Sequence, residues 1–520
     1  MRYTLKQYPE LREKVLRMDI PELLRHITCP DITVGKDKIP EGQTCFYLYH
    51  TETEKAREVA RAVNCGKIEK TLLVADMEYG AGNALKGATV FPSMWAAART
   101  GDADLAYRMG AITAKEGLSA GYHWTFAPCV DILGNHANPI VSVRCAGDDA
   151  DTVLKYAGAY FRGVRDGGMI ATLKHFPGDG FCVDDQHITT PENPLSKEEW
   201  DRSFGRVYSE LIEEGAMAVM PGHIALPCCD EPDAENGLYP PATLSKRLLT
   251  GLLREKLGFE GIIISDALIM GGFCGYINLY DGIARFLEAG GDCLLFTAAD
   301  EALCREMQKR VENGYLKLKT LQNAAYRMLC FSKQYFEDAE KREKIRLDEA
   351  ECKRTARLFT EKSVETVRDR ARLLPIKDPK SLRVLHVVLS IPGTPESAFE
   401  RTRELTARFN AAFASAAEMR DPGGDNIRKA VQNGECDLVI CSVHNRMSYG
   451  LNNVKLAGPV ARNMMCGWMR AGVPTVFISL SDPFFEETFK AAADTVINTY
   501  GYNEYTADAV LERLLKGPAR

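Results

Sequence analysis

Between about residue 44 and about residue 335, short apolar runs alternate with longer amphipathic stretches, the pattern of repeated βα units around a parallel sheet. The runs at 46–49, 72–75, 125–130, 169–173, 216–220, 261–265 and 293–296 each precede a loop and then a helical pattern. Seven clear strands and one less distinct predict a closed (β/α)8 TIM-like barrel rather than an open doubly wound sheet, with the barrel domain spanning residues 1–340. Residues 341–375 are rich in Lys, Arg and Glu with little β signal, and Leu373, Leu374 and Pro375 then break the pattern, which predicts a helical linker. The alternation restarts at 384–389, 438–443, 475–480 and 495–498, with helical stretches such as 395–414 between. A smaller α/β sandwich domain over 376–520 completes an α/β chain.

Composition narrows the classes of function. A chain of 520 residues suits two domains, and apolar and charged fractions of 45% and 26% are ordinary for a globular protein. The formal net charge is -6 with both signs interspersed, so no basic stripe invites nucleic acid. Residues 1–31 are charged and lack an apolar signal core, and no stretch of membrane-spanning length follows, which predicts a cytoplasmic protein with no membrane partner. Sixteen scattered cysteines without a CxxC pair fit reduced thiols better than disulfides or a zinc site, and adjacent Cys228 and Cys229 fit loop thiols. Neither a metal nor an organic cofactor is expected, and the oligomeric state is left open.

Barrel enzymes work where strands end, so polar residues directly after the apolar runs are the first candidates. These are Asp76 and Glu78, Asp131, Lys174 and His175, His223, and Asp266. Any one of them could equally cap a helix or satisfy backbone. Their convergence on the strand ends of one barrel points to a site, and His223 is placed with the substrate contacts.

Two stretches are more specific. One is Lys174, His175, Phe176, Pro177, Gly178, Asp179, Gly180, followed by Asp185, Gln186, His187; the other runs from Gly258 through Gly261, Ile262, Ile263, Ile264 and Ser265 to Asp266. Together they resemble glycoside hydrolase family 3, in its β-N-acetylglucosaminidase branch. Weaker similarity occurs at Asp76-Met77-Glu78, at Asn138-Pro139 with Arg144, at Ala289-Gly290-Gly291-Asp292 and at 500–517. The resemblance implies a retaining glycosidase in which Asp266 forms the glycosyl ester, His187 shuttles the proton and Asp185 orients it. It also implies that Lys174, His175, Asp76 and Arg144 hold the sugar ring of an N-acetylglucosaminide. β-Glucosidases of the family usually take their acid/base glutamate from the C-terminal domain, whereas the hexosaminidase branch resembles this chain in carrying Asp-x-His within the barrel.

The departures fall around the site. Gln186 stands where the family usually has a small hydroxyl residue, and Asp179 where a bulky or histidine residue is common. The Gly-Gly-Arg run used for cell-wall fragments is replaced by Tyr79, Gly80, Ala81, Gly82, Asn83, Ala84, and Arg144 is followed by Cys145 and Ala146. These changes keep the chemistry and leave the aglycone open. Two other functions stay open: a family 3 phosphorylase or β-glucosidase, and a sugar-binding relative that has lost turnover.

Overall fold

The computed structural model describes residues 1–39, 41–341, 347–390, 396–444, 462–465 and 467–517. It divides into two compact units, one of Met1–Val90, Ala106–Asn135 and Cys145–Cys352, the other of Phe91–Leu105, His136–Arg144 and Lys353–Arg520. Among the described residues no helix is long and apolar enough to cross a membrane.

The first unit is the expected parallel barrel. Its strands are β1 (Thr28–Cys29, resuming as Asp31–Ile32), β2 (Cys45–Leu48), β3 (Leu72–Ala75), β4 (Trp124–Thr125), β5 (Ile170–Phe176), β6 (Ala218–Pro221), β7 (Ile262–Ile263) and β8 (Leu294–Leu295). Each pairs in parallel with the next from β1 to β7, Ile264 bridges to Cys293 beside β8, and β8 pairs with Thr28–Cys29 of β1, closing the ring. The indistinct eighth strand is thus β1, broken at Pro30, which has no N–H to give to a ladder. Two expected strands change length for the same kind of local reason. The run at 125–130 shrinks to Trp124–Thr125 because Pro128 interrupts it, and Cys129 regains a bridge to Lys174. The run at 169–173 instead extends through Phe176, so Lys174 and His175 lie within β5 and not after it.

The helices outside the strands are set by their ends and by close approach. Asp149 caps Ala150–Asp166 through a 2.9 Å bond from the Thr152 N–H, which satisfies one of the unpaired donors of the first turn. That helix crosses Ala103–Ser119 at a pair of glycines. A Cβ on Gly163 would stand 2.0 Å from the Tyr107 carbonyl oxygen, and one on Gly110 2.2 Å from that of Tyr160.

The second unit holds a six-stranded sheet built from β9 (Glu365–Asp369), β10 (Arg383–Ser390), β11 (Ser415–Arg420), β12 (Leu438–His444), β13 (Thr475–Ser479) and β14 (Thr495–Asn498). Its order is β9-β14-β13-β12-β10-β11, parallel except for β9. Alternate residues of the central strands feed two cores, Leu438, Ile440, Val476 and Ile478 on one face and Val439, Cys441, Val443 and Phe477 on the other. Helices Glu396–Ala412 and Thr506–Lys516 cover the first face and Gly424–Gln432 the second, which makes the expected α/β sandwich. The stretch expected as a helical linker contains helix Glu349–Ser363 and then the edge strand β9, while 342–346 lie outside the described residues, as does the first residue of the helix expected at 395–414.

Candidate active site

The chemistry gathers at the C-terminal ends of the barrel strands, where βα loops leave the sheet. At the end of β3, Asp76 accepts the Tyr47 hydroxyl at 2.9 Å and the Lys174 ammonium at 2.7 Å. Lys174 also meets Glu78 at 2.6 Å. Lys174 is almost fully buried whereas Asp76 keeps about a third of its side chain open, so the carboxylate pair presents one face to solvent with its counter-cation fixed behind it. Burial, and then the neighbouring Asp76 charge, push the Tyr47 phenol far above its ordinary range, so it remains a donor.

Next to Lys174 on β5, His175 sits where the β5–β6 register slips between Lys174 and Phe176, a bulge that re-aims a side chain. The peptides Lys174–His175 and Phe176–Pro177 are both cis. His175 Nδ1 lies 2.7 Å from the buried Asp131 carboxylate, which also accepts the backbone N–H groups of His175 and Asp179 at 3.2 and 2.9 Å and the Cys129 thiol at 3.1 Å. Burial would raise Asp131, but the His175 charge and these donors outweigh it and hold the carboxyl low. Cys129, Asp131 and His175 are the one potential metal-ligating group found among the described residues, with donor atoms within 4.8 Å of one another. All three are already joined around the Asp131 carboxylate, so the set works as a hydrogen-bonded cluster.

The loop after this motif is pinned by glycines at Gly178 (φ 126°) and Gly180 (φ 112°), where a Cβ would strike the Phe204 ring and the Ile132 carbonyl. Trp200 Nε1 donates to the Pro177 carbonyl at 2.8 Å and Asn193 to that of Gly178 at 2.9 Å. Asp179 occupies its position by accepting the Gly180 N–H at 2.6 Å. Beyond the turn, Asp185 is buried and His187 is partly open, and one Asp185 oxygen lies 2.7 Å from His187 Nδ1. That bond fixes the Nδ1–H tautomer and leaves Nε2 for proton exchange.

Asp266 follows β7. Its backbone N–H reaches the Pro221 carbonyl at 3.3 Å, and its Oδ1 accepts the Ala267 N–H at 2.8 Å. Protein crowds Asp266, which is half-buried. Burial would raise its pKa; the imidazoles of His175, His223 and His187 and the Ala267 N–H reverse that and hold it below the usual carboxylate range. The group is therefore ionised and flanked by three histidines. Of these, His223 is fully buried, with Nδ1 2.9 Å from the Thr243 hydroxyl and Nε2 3.0 Å from the Ala267 carbonyl. Burial first of all lowers its pKa, against the opposing pull of the Asp266 carboxylate.

The residues 17–331 match the model of the glycosyl hydrolase family 3 N-terminal domain. The chain belongs to glycoside hydrolase family 3. A relative from Cellulomonas fimi, named β-N-acetylglucosaminidase/β-glucosidase, is 30% identical over 460 residues, covering 85% of this chain and 80% of its own. A solved β-glucoside phosphorylase bound to 2FGlc aligns with a TM-score of 0.87 at 27% identity over 98% of this chain and 94% of its own. A family 3 β-N-acetylglucosaminidase from Paenibacillus sp. str. FPU-7 shares the fold, with a TM-score of 0.81 at 22% identity over 96% and 97% of the two chains.

Within this family 3 barrel the structure brings together Asp76, Lys174, His175, Asp185, His187, His223 and Asp266. Arg144, expected with them, closes the short turn Ser142–Arg144 of the second unit's His136–Arg144 segment, where it is buried and reaches the Ile140 carbonyl at 3.4 Å. Three partners were absent from the expected set. Asp131 and Glu78 follow apolar runs without an assigned role, and Tyr47 lies inside the run 46–49, which reads only as a strand.

Proposed function

We propose that this protein is a retaining hydrolase that removes terminal β-N-acetylglucosamine residues. The observation that carries the reading is the Asp185–His187 pair within the barrel, a complete proton shuttle in the same unit as an ionised Asp266. The name of the Cellulomonas fimi relative supports the glycone. The free thiols of the described cysteines fit a reducing cytosol.

In the first step an Asp266 carboxylate oxygen attacks the anomeric carbon while His187 Nε2–H gives its proton to the glycosidic oxygen; the bond from carbon to that oxygen breaks and an Asp266 glycosyl ester forms. In the second step His187, now neutral, takes a proton from water as the water oxygen attacks the same carbon and the ester bond breaks. Asp185 stabilises the imidazolium that donates in the first step and re-forms in the second. Asp76, Lys174 and His175 hold ring hydroxyls, and bonds that tighten as the ring flattens lower the barrier. His223, with both ring nitrogens committed inside the protein, acts by positioning Ala267 beside Asp266.

A second reading is phosphorolysis. It is favoured by the likeness to the β-glucoside phosphorylase and by a histidine shuttle, which repels an incoming phosphate less than a carboxylate would. Aryl N-acetylglucosaminides and glucosides assayed with and without phosphate, with products followed by phosphorus NMR, separate the two. Free N-acetylglucosamine at every phosphate level supports hydrolysis. Sugar 1-phosphate with phosphate-dependent turnover replaces it with the second reading, and activity on glucosides alone sinks the glycone. A 5-fluoro glycosyl fluoride should leave a mass-spectrometric adduct on Asp266 that Asp266→Asn abolishes.

A further inference from the structure

The loop that carries His187 is fastened to the element that follows Asp266. From Asp266 the chain runs through Met270 into the short helix Gly271–Cys274. There the Gly271 N–H donates to the His187 carbonyl at 2.8 Å and the Gly272 N–H to the Gln186 carbonyl at 3.1 Å. Thr190 Oγ1 returns a bond to the Gly272 carbonyl at 2.8 Å. A Cβ on Gly271 would lie 2.3 Å from the Ile188 carbonyl oxygen, and one on Gly272 2.5 and 2.6 Å from those of Gln186 and Thr189. These obstacles are backbone atoms that cannot rotate aside. Hydrogen is the side chain that lets the loop come down onto those N–H groups.

The side chain of Gln186 adds a second tie. It is fully buried, and its Oε1 accepts the His223 N–H at 2.9 Å. His223 Nε2–H in turn donates to the Ala267 carbonyl at 3.0 Å, and the Ala267 N–H donates to Asp266 Oδ1 at 2.8 Å. A continuous series of bonds therefore joins the residue between Asp185 and His187 to the Asp266 carboxylate. Gln186 Nε2 has no hydrogen-bond partner among the described residues. A buried donor left unpaired costs stability, so what this position uses is the acceptor.

We propose that Gln186, Gly271 and Gly272 are positioning residues that seat the 185–190 loop and hold His187 in register with Asp266. The inference rests on His187 being the proton shuttle. It makes a prediction that a merely structural role does not. Proton donation matters for a glycoside with a basic leaving group and hardly at all for a dinitrophenyl glycoside, whose leaving group departs unaided. Loss of seating should therefore appear as dependence on the leaving group, with folding intact.

The test measures kcat/KM, which reports the glycosylation step, for the wild type, Gln186→Ser, Gly272→Ala and His187→Ala on 2,4-dinitrophenyl and alkyl N-acetylglucosaminides, alongside thermal unfolding. Gln186→Ser and Gly272→Ala should each lose roughly tenfold or more on the alkyl glycoside and less than about threefold on the dinitrophenyl one. Equal losses on both substrates, or no loss, overturn the proposal. Should Gly272→Ala fail to fold, Gln186→Ser decides the matter alone. If His187→Ala discriminates between the substrates and Gln186→Ser does not, the seating role fails while the shuttle stands. If His187→Ala shows no discrimination, the shuttle reading fails and takes this inference with it.

Discussion

One oxygen of the buried Asp185 carboxylate receives both the Nδ1–H and the backbone N–H of His187, at 2.7 and 2.8 Å. An amide in its place would still fill the space but could present an N–H to the ring and favour the wrong tautomer. Asp185→Asn should lower kcat/KM on alkyl N-acetylglucosaminides by about 10²- to 10⁴-fold, the range seen when an orienting carboxylate of this kind is neutralised. Steady-state kinetics with matched circular dichroism spectra checks this. A loss below about threefold would remove Asp185 from the mechanism.

Lys174 is the cation between Asp76 and Glu78, at 2.7 and 2.6 Å, and it is the most buried of the three. Lys174→Met would leave two carboxylates facing each other without their counter-ion. Removing one partner of a buried ion pair costs 3–5 kcal/mol, and the exposure of Asp76 places this case at the lower end, about 3 kcal/mol at pH 7. Urea unfolding of Lys174→Met beside the wild type measures the deficit, and a loss below about 1 kcal/mol would show that the ion pairs do not carry the stability assigned to them.

Much of this architecture was legible from residue order. The apolar runs located seven barrel strands and four of the six in the second sheet, because buried parallel strands read as unbroken hydrophobic stretches. What escaped was short or lay at an edge. β1 is cut by Pro30, while β9 and β11 carry Glu365, Arg368, Glu418 and Arg420 along half-open edges, where charge is tolerated. Lys174 to Gly180 and Gly261 to Asp266 are long, specific runs, and they pointed to the loop that carries Asp185 and His187 and to the strand end that carries Asp266. Asp131 and Tyr47 were not assigned, since their roles come from a 2.7 Å bond to His175 and a 2.9 Å bond to Asp76, relations across the barrel that no sequence spacing reveals.

Glycine to alanine substitutions should move stability in opposite directions at two helical positions. Gly251, in the helical turn Arg247–Lys256, has open space where a Cβ would go, so Gly251→Ala should stabilise by about 0.5–1 kcal/mol through lower chain entropy in the unfolded state. At Gly163 the same entropic gain meets the Tyr107 carbonyl at 2.0 Å and the Ala111 nitrogen at 2.8 Å. Separating the two helices outweighs it, and Gly163→Ala should destabilise by about 1–3 kcal/mol. Denaturant midpoints at constant m-value test the pair, and a stabilised Gly163→Ala would mean that the helices part without cost.

The barrel should also lose stability on mild acidification, through His123. Its Nδ1 accepts the Leu73 N–H at 3.1 Å on the strand that leads to Asp76, so the ring must be unprotonated there. Tyr335 and Phe336 pack edge-on against it, and burial pushes its pKa down to about 3. The unfolded chain binds a proton at this residue near pH 6.5, whereas the native state refuses it until about pH 3. Native stability is therefore complete above pH 6.5 and declines as pH falls toward 3, by up to about 2 kcal/mol from this group at pH 5. His123→Asn keeps an acceptor for Leu73 and removes the titration. The variant should be less stable than the wild type at pH 7.5 because it loses ring packing, and the gap should narrow at pH 5. Parallel stability curves for the two proteins over that interval would place the acid sensitivity elsewhere.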